Sequence, residues 1–447
     1  MQVEKPDSAF SYDIAGEFAA AMASMAVPAE ARVAVAVSGG ADSLALALLL
    51  THWARSNNVT VHALTVDHCL REAGADEAKQ VQLWMSAAKV PHTTLRWDGG
   101  AAYRGRPGSA QGAARDARYA LMLDWCAENG ASHLFLAHHA DDQGETFLLR
   151  LARGSGVDGL AAMTPLSERG GIFLARPLLG IPKTRLIAFC EDVGQPWIED
   201  PSNQNGAYAR ARFRAAREML EREGLSTDRL LATADHMRRA RAALDHYVGA
   251  LLREACAWDK YGVGRVSLQA LAAAPEEIGL RALAAILQIA SGQVYRPRFE
   301  RLQRLYDSLR GGAWRDATLH GALLQRDGET LIVIREAAQI ADEQSLRAGT
   351  KALWDGRFEV EVAGLPPARD FRIRRLTQED VSHLENRADV PFRVRETLPG
   401  LFDSAGLAAV SVLNYIRADL TTLPGVTFTT AFICPRIDQF PEDDAEL

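Results

Sequence analysis

Along the first ~200 residues, short apolar runs of strand length alternate with longer segments of helical pattern. Arg32–Val37 and Val59–Val66 are rich in Val and Ala and carry no polar alternation, which predicts parallel strands buried on both faces. Between them Ser43–Trp53 has helical length and pattern. His133–Ala137 (HLFLA) predicts another strand, and Asp141–Arg153 the helix that follows it. This order predicts an α/β fold built on a doubly wound parallel sheet. From Ala207 the texture changes to an arginine-rich helical stretch, YARARFRAAREMLEREG, and Leu231–Glu254 and Pro275–Ile289 continue the helical pattern. Near Trp354 it changes again, and FEVEVAG, FRIRRL and LAAVSVL alternate as short strands do. The expected organisation is a catalytic domain over 1–215, a helical domain over 216–345 that ends in the strand-like TLHGALLQRDGETLIVIRE, and a small α+β domain over 346–447.

The first apolar run ends in Ser38-Gly39-Gly40-Ala41-Asp42-Ser43, where the first predicted helix begins. A strand that ends in a glycine-rich turn and opens a helix makes a phosphate cradle. Unpaired backbone amides and the helix dipole point at the anion, and glycine lets the backbone come close. No lysine follows in Walker A spacing. Asp42 would repel bare phosphate, so its presence implies a cation, for which Mg²⁺ is the natural choice. The plainer reading is a strand–turn–helix corner with Asp42 as a cap.

Three other stretches carry candidate chemistry. Val66, Asp67 and His68 end the second predicted strand, where a nucleotide base would lie in such a sheet; a locally hydrogen-bonded turn accounts for Asp67 and His68 equally well. His138-His139-Ala140-Asp141-Asp142-Gln143-Gly144-Glu145 crowds histidines and carboxylates at a strand-to-helix junction. Asp142 and Glu145 share a helix face and suit a metal ion and a substrate amine, although Asp141 or Asp142 could equally cap the helix. Arg210 and Arg214 are four apart on a predicted helix that also carries Arg212 and Arg217; its bland reading is a solvated basic face. Arg118 reads either as a nucleotide or phosphate contact or as half of an interhelix salt bridge, and Lys183 as a surface lysine.

Composition narrows the class. At 48% hydrophobic and 24% charged residues, the 447-residue chain reads as globular. No apolar run approaches the ~18 residues of a membrane span. The N-terminus lacks a basic region followed by an apolar core, so a cytoplasmic protein with no membrane partner is expected. A net charge of -7 argues against indiscriminate nucleic-acid binding while leaving room for a local basic face. Five scattered cysteines without a CxxC pair predict buried apolar thiols rather than a disulfide, zinc or iron–sulfur framework.

SGGxDS after an apolar strand resembles the PP-loop of the N-type ATP pyrophosphatases. The chain also carries TVDHCLR, HHADDQGET followed by RGSG, and DPSN followed by YARARFR. With these it is similar to the tRNA(Ile)-lysidine synthetases. The likeness runs on through RGRPGSAQGAARDARY and RETLPGLFDSAGLAAV. It departs from the family pattern at Gly144, where Ala is usual, at Ala211, where Asn is usual, and at Ser109, near a frequent Asn. The resemblance implies an ATP-dependent ligase that adenylates the wobble cytidine of the CAU-anticodon isoleucine tRNA and joins free L-lysine to its C2. It further implies that Ser38, Gly39, Gly40, Ala41, Asp42 and Ser43, with Val66, His68 and Arg118, bind ATP. Asp42 and Asp142 would hold Mg²⁺, Glu145 and Arg210 would bind lysine, and Arg212, Arg214 and Arg217 would face the tRNA. A homodimer is left open. Among rival readings, a tRNA 2-thiolating enzyme needs a CxxC pair that is absent, and a GMP synthetase needs a glutaminase cysteine and another domain plan. A non-catalytic RNA-binding protein would not need Asp42 and Glu145, which are present.

Overall fold

The computed structural model describes residues 12–70, 74–103, 109–199, 212–213, 216–311, 316–340, 343–347, 349–364, 370–382, 384, 390–421 and 426–433. The chain forms two compact units, one within Met1–Arg241 and one within Ala242–Pro441.

In the first unit, helix α1 (Tyr12–Met22) precedes strand β1 (Arg32–Ala36), helix α2 (Ala41–Asn57), strand β2 (Thr60–Asp67), helix α3 (Gly74–Ala87) and strand β3 (His92–Arg96). Helix α4 (Ser109–Glu128), strand β4 (Ala131–Phe135), helices α5 (Ala140–Ala152) and α6 (Val157–Leu160), strands β5 (Leu166–Arg169) and β6 (Ile172–Ala175), and helix α7 (Lys183–Asp192) follow. The strand order is β3-β2-β1-β4-β6-β5. All neighbours pair in parallel except β5, which runs antiparallel to β6. This is the doubly wound α/β architecture that the apolar pattern predicts.

The sheet buries both faces, which is why its strands read as unbroken apolar runs. Val33 and Val35 of β1 pack with α1, α2 and α7 through Phe18, Leu46 and Phe189. Ala34, one residue out of phase, packs on the opposite face with Tyr119, Met122 and Cys126 of α4. Each fully buried leucine or phenylalanine here contributes about 1.5–3 kcal/mol. The chain turns back between β1 and β4, so their carboxyl ends flank the crevice where ligands bind in open sheets of this kind. The β5–β6 hairpin has a two-residue loop, Gly170-Gly171, with both residues at positive φ. That is the backbone a tight hairpin turn requires.

The second unit contains more strand than its helical pattern announces. A five-stranded sheet orders β7 (Cys256–Trp258), β8 (Gly264–Ser267), β11 (Thr330–Arg335), β10 (Ala322–Asp327) and β9 (Ala317–Leu319). The helices Glu276–Ser291 and Phe299–Arg310 share its core through Leu283, Ile286 and Tyr306. A second core is built from β12 (Gln344–Arg347) to β19 (Thr427–Phe432), arranged as one five-stranded and one three-stranded sheet. Among the described residues, no helix is long and apolar enough to cross a membrane.

Candidate active site

The phosphate-loop candidate occupies the exit of β1. Gly39 has φ +89, and a Cβ there would meet Val81 Cγ2 at 3.0 Å and Ile198 Cδ1 at 3.1 Å, so both conformation and space call for glycine. Its carbonyl accepts a hydrogen bond from Ile198 N at 2.9 Å, which ties the loop to the segment before Asp200. Gly40 is the N-cap of α2 and supplies no side-chain cap, so the first amides of the helix stay open toward the crevice. Buried Ser43 holds the turn from inside. Its Oγ accepts from Ser38 N at 3.1 Å, lies 3.2 Å from Ser38 Oγ, and donates to the Gly40 carbonyl at 2.9 Å. Ser38 itself is exposed.

The exit of β4 brings the second cluster to the same place. His139 is the N-cap of α5 and is buried. Its Nε2 lies 3.6 Å from Asp42 Oδ2 and 3.4 Å from Asp142 Oδ2, and its Nδ1 lies 3.6 Å from Asp141 Oδ2. One imidazole thus sits among three carboxylates. Two of these also perform capping duties. Asp142 Oδ2 accepts from His139 N at 3.1 Å, and Asp141 Oδ2 accepts from Lys183 N at 2.9 Å at the start of α7. Glu145 lies one turn beyond Asp142 and is buried. Asp42 and Asp142 thus meet at His139 from two adjacent strand exits, while Glu145 is buried in the helix one turn further on.

Lys183 keeps the surface position read from the sequence, its side chain 45% exposed, but its Nζ also donates to Asp42 Oδ2 at 3.0 Å. It reaches the loop from a position 141 residues away, and only its place at the start of a helix after Pro182 hints at a role. Even so, Asp42 Oδ1 remains buried without a hydrogen-bond partner. An orphaned carboxylate oxygen beside open helix amides fits a cation such as Mg²⁺, which binds through one or two carboxylates and completes its shell with phosphate and water oxygens. Among the described residues no ready-made group of three or more His, Cys, Asp or Glu ligands is present.

Cations line the neighbouring wall. His138 is pushed down to about 3, first by burial and then by the Arg176 guanidinium, with Asp142 pulling the other way and Arg115 and Arg118 adding to the depression. Burial and the Arg118 charge likewise lower His68, against a smaller upward pull from Asp67. Both rings are therefore neutral at physiological pH, and both Nδ1 atoms are buried without hydrogen-bond partners. Asp67 Oδ1 accepts from Cys69 N at 2.9 Å, so the local-turn reading of Asp67 is realised. Val66 is half-buried near the end of β2.

Other motif residues serve the framework. Gln143 exchanges two 2.8 Å hydrogen bonds with the Met163 backbone. Arg150 donates to the Gly159 and Ala162 carbonyls, which braces the loop after RGSG. Arg212 is helical and exposed. Arg210 and Arg214 lie outside the described residues, as does the side chain of Arg217, which opens the helix Arg217–Arg222. Cys126 and Cys190 are buried, and burial raises both thiols to about 12, which leaves them inert.

Residues 13–220 match a family described as the PP-loop domain. The chain is 38% identical over 347 residues to the tRNA(Ile)-lysidine synthase of Ruegeria pomeroyi, covering 77% of this chain and 79% of the relative. It is 35% identical over 337 residues to that of Wolbachia sp. subsp. Brugia malayi, with 74% and 77% covered. It is 41% identical over 309 residues to that of Methylobacterium nodulans, with 67% and 88% covered. With a phosphate loop at one strand exit, carboxylates at the next and relatives matched over most of their length, the chain belongs to the tRNA(Ile)-lysidine synthase family.

Proposed function

We propose that this protein uses ATP to join free lysine to C2 of the wobble cytidine in the CAU-anticodon isoleucine tRNA. The supporting observation is the open α2 N-terminus beside the Asp42–His139–Lys183 cluster, in a chain of this family. Cytidine O2 attacks the α-phosphorus of ATP and the bond to pyrophosphate breaks. The lysine ε-amine then attacks C2, and the C2–O2 bond breaks as AMP leaves with the oxygen.

The residues divide that work. The amides of Gly39 to Ser43, with the Ser38 hydroxyl, bind the pyrophosphate end, and Lys183 lies where it can offset negative charge there. Asp42 and Asp142 would hold Mg²⁺, which would supply further charge neutralisation for the phosphoryl group. Free lysine has a side-chain pKa near ~10.4, so its ammonium must lose a proton before it attacks. Glu145 holds that ammonium and takes the proton, while Arg210 neutralises the α-phosphate or the lysine carboxylate. Neutral His68 and His138 line the pocket without adding positive charge, and Arg118 contacts the nucleotide. Arg212, Arg214 and Arg217 face the anticodon stem. The segments 216–345 and 346–447 extend the tRNA contact, the latter toward the acceptor end. A target base must leave its stack to reach ATP, which an unpaired anticodon loop permits.

The test is product analysis after incubation with the tRNA, ATP and lysine. Equal amounts of lysidine, AMP and pyrophosphate are expected; ADP with inorganic phosphate, or an unmodified wobble cytidine, would refute the reading.

A further inference from the structure

The second unit holds a cavity of about 380 Å³ whose lining carries charges of both signs. That volume falls in the lower part of the range of small-molecule sites, about 300–1,000 Å³. Arg335 and Glu336 line it at the end of β11, Arg375 at the end of the strand Asp370–Arg375, and Arg393 and Glu396 at the helical turn Phe392–Arg395. Glu336, Arg375 and Glu396 are half-buried and Arg393 is exposed. Among the described residues, none of these four side chains has a hydrogen-bond or ion-pair partner. Arginines that serve the frame of the same unit are paired instead. Arg374 donates to Asp380 Oδ2 at 2.7 Å and Arg417 to Asp403 Oδ2 at 2.8 Å.

The walls of the cavity are fastened by buried charge. Arg335 and Arg357 both donate to Asp355. Arg335 Nη1 also donates to the Gly321 carbonyl at 3.0 Å, and its Nη2 to the Gln339 carbonyl at 2.8 Å, which fixes the backbone on either side of the lining residues Leu323 and Ala337. Glu336 N donates to the Gly321 carbonyl at 2.8 Å. Arg357 Nη2 donates to the Thr397 carbonyl at 2.9 Å, one residue from Glu396. The Arg335 guanidinium is thus engaged by the frame, whereas the other four charges are left for a ligand. A cavity whose walls are set in advance loses little freedom when it is filled.

Two free guanidiniums and two free carboxylates around one cavity select its occupant. A phosphate or a nucleic-acid strand would meet the like charges of Glu336 and Glu396, and a metal ion those of Arg375 and Arg393. A small molecule that carries both signs satisfies all four. We propose that this cavity is a binding site for a free diamino acid, L-lysine, with its carboxylate held by Arg375 and Arg393 and its two ammonium groups by Glu336 and Glu396. Guanidinium forks suit a carboxylate, and Leu323 and Ala337 offer apolar surface to the methylene chain. None of these residues belongs to the candidate active site. The proposal goes beyond the functional reading above and does not rest on it, since binding here needs no turnover.

The test is calorimetric titration of the full-length protein with L-lysine, in the absence of ATP and tRNA. The parent is Glu145→Gln, which removes the amine contact proposed for the active site. It should retain a single saturable lysine site. Arg375→Gln/Arg393→Gln and Glu336→Gln/Glu396→Gln, each added to that parent, should weaken lysine binding at least about tenfold. Where a pair lowers the ligand-free thermal midpoint, the single Arg375→Gln and Glu396→Gln variants are read in its place. Cadaverine lacks the carboxylate and L-norleucine lacks the ε-ammonium, and each should bind the parent at least about tenfold more weakly than lysine. With Glu145 intact, both pairs should keep wild-type turnover at saturating lysine. Absence of saturable lysine binding in the parent, or binding that neither pair weakens, would overturn the site, as would inorganic phosphate binding more tightly than lysine. Lysidine formation by the wild type is measured alongside. Its absence would refute the functional reading alone, while its presence without the second lysine site would refute only this proposal.

Discussion

Each unit contains a carboxylate shared between two nitrogen-bearing side chains, and the two differ in how fully the carboxylate's oxygens are used. In the second unit, Asp355 accepts both oxygens' worth of contact from Arg335, at 2.9 Å each, and one from Arg357 Nε at 2.7 Å. The two guanidiniums also donate to the carbonyls of Gly321, Gln339 and Thr397, and all three charged side chains are at most 6% exposed. In the first unit, Asp42 meets Lys183 and His139, yet its side chain is 22% exposed and Oδ1 has no partner. Both oxygens of Asp355 are used, although Arg357 Nη1 is itself buried without a partner; a buried ion pair is kept by the hydrogen bonds that do satisfy it. A carboxylate with an unused oxygen beside open helix amides is instead suited to a ligand that has still to arrive. The same residue types thus build a clamp in one place and a receptor in the other.

The widest separation between the two should come from removing each carboxylate. Asp42→Ala should lower lysidine formation more than about 10³-fold, with the melting midpoint shifted by at most a few degrees. Asp355→Ala strands two buried guanidiniums and should cost about 3–5 kcal/mol, lowering the unfolding midpoint of its unit by on the order of 10 °C. Calorimetry with an activity assay reads both; a large thermal loss in Asp42→Ala would erase the distinction between clamp and receptor.

The histidine beside the first cluster should add a response to acid. His138 ordinarily titrates at 6.5 and is held near about 3 in the folded state, first by burial and then by Arg176. Between those values the unfolded chain binds the extra proton, so stability is full above pH 6.5 and falls as pH drops toward 3. The slope is up to ~1.4 kcal/mol per pH unit. Denaturant unfolding of His138→Gln should show an acid limb flatter by one proton; identical slopes would mean that the ring is already charged in the folded site. Arg357, lowered by burial to about 10, stays charged throughout that range and adds nothing to this limb.

The smallest effect concerns the frame of the first cluster. A Cβ on Gly144 would lie 3.6 Å from Leu230 Cδ1 and 3.9 Å from Thr227 Cγ2, which is ordinary contact. Gly144→Ala should therefore stabilise α5 by about 1 kcal/mol through helix propensity, seen as a rise of a few degrees in midpoint with activity unchanged. A fall would show that the site tolerates less packing than this geometry provides.

Much of the receptor was legible because its residues are contiguous. A phosphate loop is a local device, so SGGADS announces strand, turn and helix within six residues. The β4 exit is similar, with HHADDQGET placing cap, carboxylates and helix face in one run. Lys183 was not legible, since no local pattern couples it to Asp42 across 141 residues. Nor was the clamp, whose Arg335, Asp355 and Arg357 look like surface charges until packing closes around them. The strands β7 and β8 are three and four residues long and sit between helices, too short for an alternating pattern to register. The β5–β6 hairpin did carry a signal, the Gly170-Gly171 pair between two short strands of four residues each.

The most direct test of the receptor's purpose follows phosphorus. ATP labelled at the α-phosphate is incubated with the enzyme and the CAU-anticodon isoleucine tRNA in the absence of lysine, and the tRNA is then recovered. Label should appear on the tRNA with wild-type enzyme, be released as AMP when lysine is added, and be absent with Asp42→Ala. Lysidine formed on addition of lysine without prior transfer of label to the tRNA, or undiminished transfer by Asp42→Ala, would contradict the account.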